Sequence, residues 1–181
     1  MEFPPEVIET ERLRLRRPTL EDAGVLFETY MSEKIVTEYL AWTPHETVTE
    51  TAEFLQQTID AWDLRMGHRA WVIERKTDSS PMGTIGSSVS FHRVEVGFAL
   101  GSAFWGSGYM PEALVAVCDA AFSDERIARV QAMCDVENIR SARVLEKAGM
   151  LHEGTLRRYG HHPNRSPDPR DCLMYAITKA D

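Results

Sequence analysis

Apolar and polar positions follow two rhythms along the chain. Residues 11–17 alternate, with Leu13 and Leu15 on one side and Arg12, Arg14 and Arg16 on the other. That is the period of a half-buried strand whose arginines face solvent. Pro18 ends it. Thr19 then offers an N-cap oxygen, Glu21 and Asp22 fall in a first turn, and Leu20, Ala23, Phe27 and Tyr30 recur at helical spacing. A second helix follows from Val48, Ala52, Leu55, Ile59, Trp62 and Met66, with Gly67 where a terminating glycine belongs. Residues 70–76, 83–91 and 94–100 read as three consecutive antiparallel strands, joined by turns such as Thr77-Asp78-Ser79-Ser80-Pro81.

The rhythm changes in the second half. Residues 111–123 form a helix whose only charges are Glu112 and Asp119, so most of its surface is buried. Val130, Ala132, Cys134 and Val136 alternate as a strand. Residues 138–148 return to helical spacing, with Ile139, Ala142, Leu145 and Ala148 inward, Arg140, Arg143 and Lys147 outward, and Gly149 as the stop. Two strand-like runs, 151–159 and 172–178, flank a long loop carrying a glycine and three prolines. The order β-α-α-β-β-β-α-β-α-β-β predicts a mixed α/β fold of about seven strands and about four helices. Without a linker or internal repeat, residues 1–181 are expected to form a single domain.

Charge and composition narrow the partners. A formal net charge of −8 opposes attraction to a phosphate backbone, so no nucleic-acid partner is expected. No apolar run is long enough to cross a bilayer, and the acidic N-terminus has no signal-like apolar segment, which makes the cytoplasm the expected location. Cys118, Cys134 and Cys172 are odd in number and far apart, as reduced buried thiols are. The histidines show no metal-site spacing, and no metal is expected.

The chemistry-bearing segment is Ala103-Phe104-Trp105-Gly106-Ser107-Gly108-Tyr109-Met110-Pro111-Glu112, at a strand-to-helix junction. Unpaired N–H groups at the positive end of a helix dipole make an anion cradle, and glycines let a phosphate reach the main chain without meeting a Cβ. A Gly-x-Gly pair also serves plain turns. No Gly-Lys-Ser/Thr follows, so it is not a P-loop, and Pro111 replaces the third glycine of a dinucleotide fingerprint.

Taken with Val94-Glu95-Val96-Gly97-Phe98-Ala99-Leu100 and with the run from Cys134-Asp135-Val136-Glu137-Asn138 to Ala148-Gly149-Met150, this loop resembles the GNAT acetyltransferase superfamily, specifically its RimJ/RimL-like group. The resemblance implies a GNAT fold with splayed strands at an acyl-CoA site, acetyl-CoA as acyl donor, and direct transfer to a primary amine in a ternary complex. It assigns the pyrophosphate to the backbone from Trp105 through Gly106, Ser107, Gly108 and Tyr109 to Met110, and the pantetheine arm to Phe98, Leu100 and Asn138. Ser141 is implied to donate to the departing thiolate, Glu95 to act on the acceptor amine through water, and Arg143, with Arg140, to meet the 3′-phosphate. The leading acceptor is an N-terminal α-amine of a peptide or protein. A small amine of polyamine or antibiotic type and a non-catalytic acyl-CoA-binding module are the alternatives. The chain is expected to act as a monomer or homodimer, with the acceptor entering near Trp42, Trp62, Tyr159 and the 161–168 loop.

Overall fold

The computed structural model describes residues 2–179. Its strands are β1 (Val7–Glu9), β2 (Leu13–Arg16), β3 (His68–Arg75), β4 (Ser80–Ser90), β5 (Arg93–Leu100), β6 (Arg129–Asp135), β7 (Leu151–Gly160) and β8 (Arg170–Thr178). They form one sheet in the order β1-β2-β3-β4-β5-β6-β8-β7. Neighbours are antiparallel except β5 and β6, which run parallel because the long α4 (Tyr109–Phe122) crosses between them. The remaining helices are α1 (Asp22–Leu26), α2 (Lys34–Thr37), α3 (Val48–Asp63) and α5 (Ile139–Lys147). No helix among the described residues is long and apolar enough to cross a membrane.

The α/β mixed sheet is as predicted, with one more strand and one more short helix. Strand β1 has three residues, too few for alternation to show, and α2 has four. Helices cover both faces. On one, α4 and α5 pack Leu114, Val117 and Leu145 against Leu15, Trp71, Ile85, Val94 and Val130. On the other, Leu26, Tyr30, Met31 and Leu55 pack against Val72.

Several local expectations are corrected. The first helix continues from α1 into a π-turn at Phe27–Met31, and each wide turn rotates the buried face. The wide turn brings Met31 onto the buried face beside Leu26 and Tyr30, whereas Leu20, which precedes α1, is exposed. Thr19 does not cap this helix; its N–H donates to Asp22 Oδ2 at 2.8 Å. Asp22 is held in place by Arg16, which does not face free solvent but pairs with Asp22 and with Glu74, each at 2.7 Å. Val48 and Met66 lie at the ends of the α3 stripe and are exposed, as is Ile139 in the first turn of α5. Trp62 is buried core, edge-on to Trp71 with its Nε1–H donated to Ala70 O, and does not flank an entrance.

Candidate active site

The parallel pair is short. β5 and β6 are in register only at Arg93–Arg129, Val94–Val130 and Glu95–Gln131, yet β5 continues to Leu100 and β6 to Asp135. Each keeps its outer neighbour throughout, β5 with β4 and β6 with β8. The inner edges beyond Val96 and Ala132 thus form a fork whose backbone groups have no strand partner among the described residues. Such groups need a partner from outside the sheet. A cleft of about 390 Å³ opens there, with Phe98 and Leu100 on one wall and Asn138 and Ser141 on the other.

The glycine loop closes one end of this cleft. Gly106 and Gly108 both have φ +79°, the left-handed region that side chains resist. A Cβ on Gly106 would meet nothing within 4 Å, so packing does not demand the glycine there. Gly106, Gly108, Tyr109 and Met110 line the cleft at the start of α4, whose first-turn N–H groups lack intrahelical acceptors. Trp105 is fixed by donating Nε1–H to Leu100 O at 2.7 Å, and the Arg140 guanidinium lies 4.8 Å above its ring.

Ser107 is outside the lining; its carbonyl accepts from Arg12 Nη1 at 3.0 Å. Arg12 also pairs with Glu112 at 2.6 Å and stacks 4.6 Å from the Tyr109 ring. Burial works against the Glu112 charge, but hydrogen bonds from Thr10 and Arg12 outweigh it and hold the carboxyl below its ordinary value. Arg12 therefore keeps the Glu112 charge engaged on the strand side. Sequence reasoning placed Arg12 on a solvated strand face and missed this clamp.

Asn138 caps α5, with Oδ1 accepting from Ser141 N–H at 3.1 Å. Capping and cleft-lining coexist, because the side chain satisfies the helix while the residue lines the fork. The Ser141 hydroxyl contacts the Cys134 thiol, which burial pushes up to about 11. Arg140, Arg143 and Lys147, spaced three, four and seven apart, all line the cleft. Lys147 went unassigned in the sequence, although the Arg140-to-Lys147 spacing of two helical turns is its signal. The cleft thus offers bare backbone at one end and three cations along a helix, the donor set that a polyanionic nucleotide with an extended arm requires.

Glu95 does not line this cleft. It is the last paired residue before the fork, on the opposite sheet face, where Gln131 Nε2 donates to its Oε2 at 3.1 Å. On that face Asn164 straps the long loop to α2 by donating to Thr37 O and Trp42 O, at 2.7 and 2.8 Å.

At the far end of β6, fully buried Asp135 takes Arg170 Nε at 2.5 Å and the Glu137 N–H at 2.9 Å. Burial raises its carboxyl, but these bonds prevail and hold it below the ordinary value. A depressed folded value contributes stability above the unfolded value and loses it as pH falls through the folded one. Asp135→Ala is expected to cost about 2 kcal/mol in urea unfolding at pH 7, a discounted buried-pair value because Arg170 is partly exposed. The gap from wild type should narrow below about pH 4.

Residues 12–151 match the acetyltransferase (GNAT) domain family. The chain is 34% identical to the uncharacterized N-acetyltransferase p20 of Bacillus licheniformis, over 97% of this chain and 98% of that protein. A GNAT-family acetyltransferase from Bacillus anthracis superposes with a TM-score of 0.83 at 27% identity, covering 95% and 98% of the two chains. RimL, a ribosomal-protein α-N-acetyltransferase crystallised with coenzyme A as a CoA–cysteine disulfide, gives 0.82 at 21% identity, covering 96% and 98%. The chain therefore belongs to the GNAT acetyltransferases and uses acetyl-CoA as its acyl donor.

Proposed function

We propose that the protein acetylates the N-terminal α-amine of a peptide or protein, by direct attack on acetyl-CoA in a ternary complex. The observation that carries this reading is a fork open on both faces of the sheet. The cleft passes through the fork, from Asn138 and Ser141 to Val36 and Tyr39 on the α2 side, and on that second face Gly97 is exposed on a central strand with nothing within 4 Å of its Cβ position. An open groove admits an amine that trails a chain. An α-amine also needs little activation: deprotonation at pH 7 costs about 1.4 kcal/mol, against about 4.6 for a lysine-type amine. The likeness to RimL supports the same acceptor class.

In this reading the main chain of Trp105, Gly106, Gly108, Tyr109 and Met110 holds the pyrophosphate, and Arg140, Arg143 and Lys147 meet the remaining phosphate charge. Phe98, Leu100 and Asn138 hold the pantetheine arm as an extra strand would be held. Ser141 faces the leaving sulfur, and Glu95 meets the amine from the opposite face. The test is free thiol released from acetyl-CoA across peptides with free or blocked N-termini and across small primary amines. Release that requires a free peptide α-amine supports the proposal. Release with small amines alone moves the acceptor to that class, and binding of acetyl-CoA without release on any amine favours a binding module.

A further inference from the structure

The groove face carries a polar row that the cofactor chemistry does not use. Register places His68 opposite Ser88, Ser88 opposite Glu95, and Glu95 opposite Gln131, so four side chains cross four strands in line. Alternation puts them on the same face as Gly86 and Gly97, which are themselves paired. The row is hydrogen-bonded at both ends. His68 Nδ1 and Ser88 Oγ are 3.2 Å apart, and Gln131, steadied by Arg129 at 2.9 Å, donates to Glu95. The imidazole lies directly over Gly86, where a Cβ would come within 2.2 Å of Nε2. Any larger residue at 86 would evict the ring, whereas the neighbouring site over Gly97 is open.

We propose that Glu95, Ser88 and His68 form a proton exit from the acceptor groove, with His68 as its terminal group at the protein surface. The inference rests on the reading of this face as the acceptor side. Acetylation of an ammonium acceptor must shed one proton: R–NH₃⁺ and acetyl-CoA give the amide, free CoA thiol and H⁺. The Glu95 carboxylate takes that proton from the amine. It hands it to the Ser88 oxygen while the Ser88 hydroxyl proton passes to the imidazole, and the imidazolium releases a proton to solvent. Directly opposed side chains on paired strands lie about 5 Å apart at Cβ, within reach of each transfer.

The ring is faced from β4 by Ser88 and bare Gly86 and from β5 by Glu95; Arg69, the next residue on β3, is turned over the Trp62 ring instead. Burial lowers the His68 value below the ordinary imidazole range while the Glu95 charge opposes that shift. A neutral ring near pH 7 is the form that accepts a proton.

His68→Gln keeps a polar side chain and removes the titrating group, so the full-length variant separates relay from packing. With an alanine-initiated peptide and saturating acetyl-CoA, kcat/KM is expected to fall about tenfold at pH 7, a fraction of what a positioned base contributes. The loss should close to within about twofold by pH 9.5, where the α-amine, with an ordinary value near 8, is already neutral. No loss at pH 7, or an equal loss at every pH, overturns the relay.

A second measurement needs no acceptor. The His68 ring titration followed by NMR is expected to shift to lower pH in Glu95→Gln, and an unchanged midpoint overturns the proposal. Wild type that releases no thiol with any amine would count against the acceptor reading alone, leaving the ring titration to decide whether the row is coupled.

Discussion

Gly106→Ala is expected to weaken acetyl-CoA binding about 100-fold while barely altering the fold. The two effects come apart because the site has two separate demands on that residue. The left-handed conformation at φ +79° penalises any side chain, by roughly 1–2 kcal/mol for alanine. Contact with the rest of the protein adds nothing, since the new Cβ would have no neighbour within 4 Å. If the open space is where a diphosphate approaches the main chain, the methyl group displaces it from about two charge-assisted hydrogen bonds. Their loss, at roughly 1.5 kcal/mol or more each, amounts to about 100-fold in affinity. Calorimetric titration with acetyl-CoA and urea unfolding of the same variant distinguish the demands. A stability loss of about 1–2 kcal/mol with unchanged affinity would mean that the glycine serves the turn alone. Gly108 is a poorer probe, because its Cβ would also touch Arg12 at 3.5 Å and disturb the clamp.

That clamp marks where sequence reasoning stopped. Elements with strong periodicity, such as α3, α4 and the β3–β5 meander, were legible because burial on one face dictates the pattern. The loop glycines and Asn138 were legible because their conformational and capping roles are local. Arg12 was not, since nothing local distinguishes an arginine that reaches Ser107 and Glu112, about 100 positions away, from one that solvates a strand. The same applies to Arg16, whose partners Asp22 and Glu74 arrive from a helix and another strand. The His68 row depends on the registers of three strand pairs, and a register is fixed by the whole sheet. Lys147 is an intermediate case. Its helical spacing from Arg140 was visible, but which face of α5 borders the cleft was not.

Ser141→Ala is expected to lower kcat about 100-fold with the KM for acetyl-CoA nearly unchanged. The substitution is clean on structural grounds. Asn138 caps α5 through the Ser141 backbone N–H, which alanine retains, and the lost hydroxyl is paired with the Cys134 thiol. A serine hydroxyl is too weak an acid to surrender its proton to a thiolate whose conjugate thiol has an ordinary value near 8.5. Its contribution is a hydrogen bond to negative charge developing on the sulfur as the carbon–sulfur bond breaks. One preorganised donor aimed at developing charge is worth about 10²-fold or more in rate, because the interaction strengthens only in the transition state. Since no group titrates in that step, the deficit should stay constant from pH 7 to 9.5, unlike the deficit expected of His68→Gln. Steady-state rates of thiol release over that range provide the comparison. A deficit that appears in KM instead would place Ser141 among the groups that bind the ground state, and no deficit at all would remove it from the reacting centre.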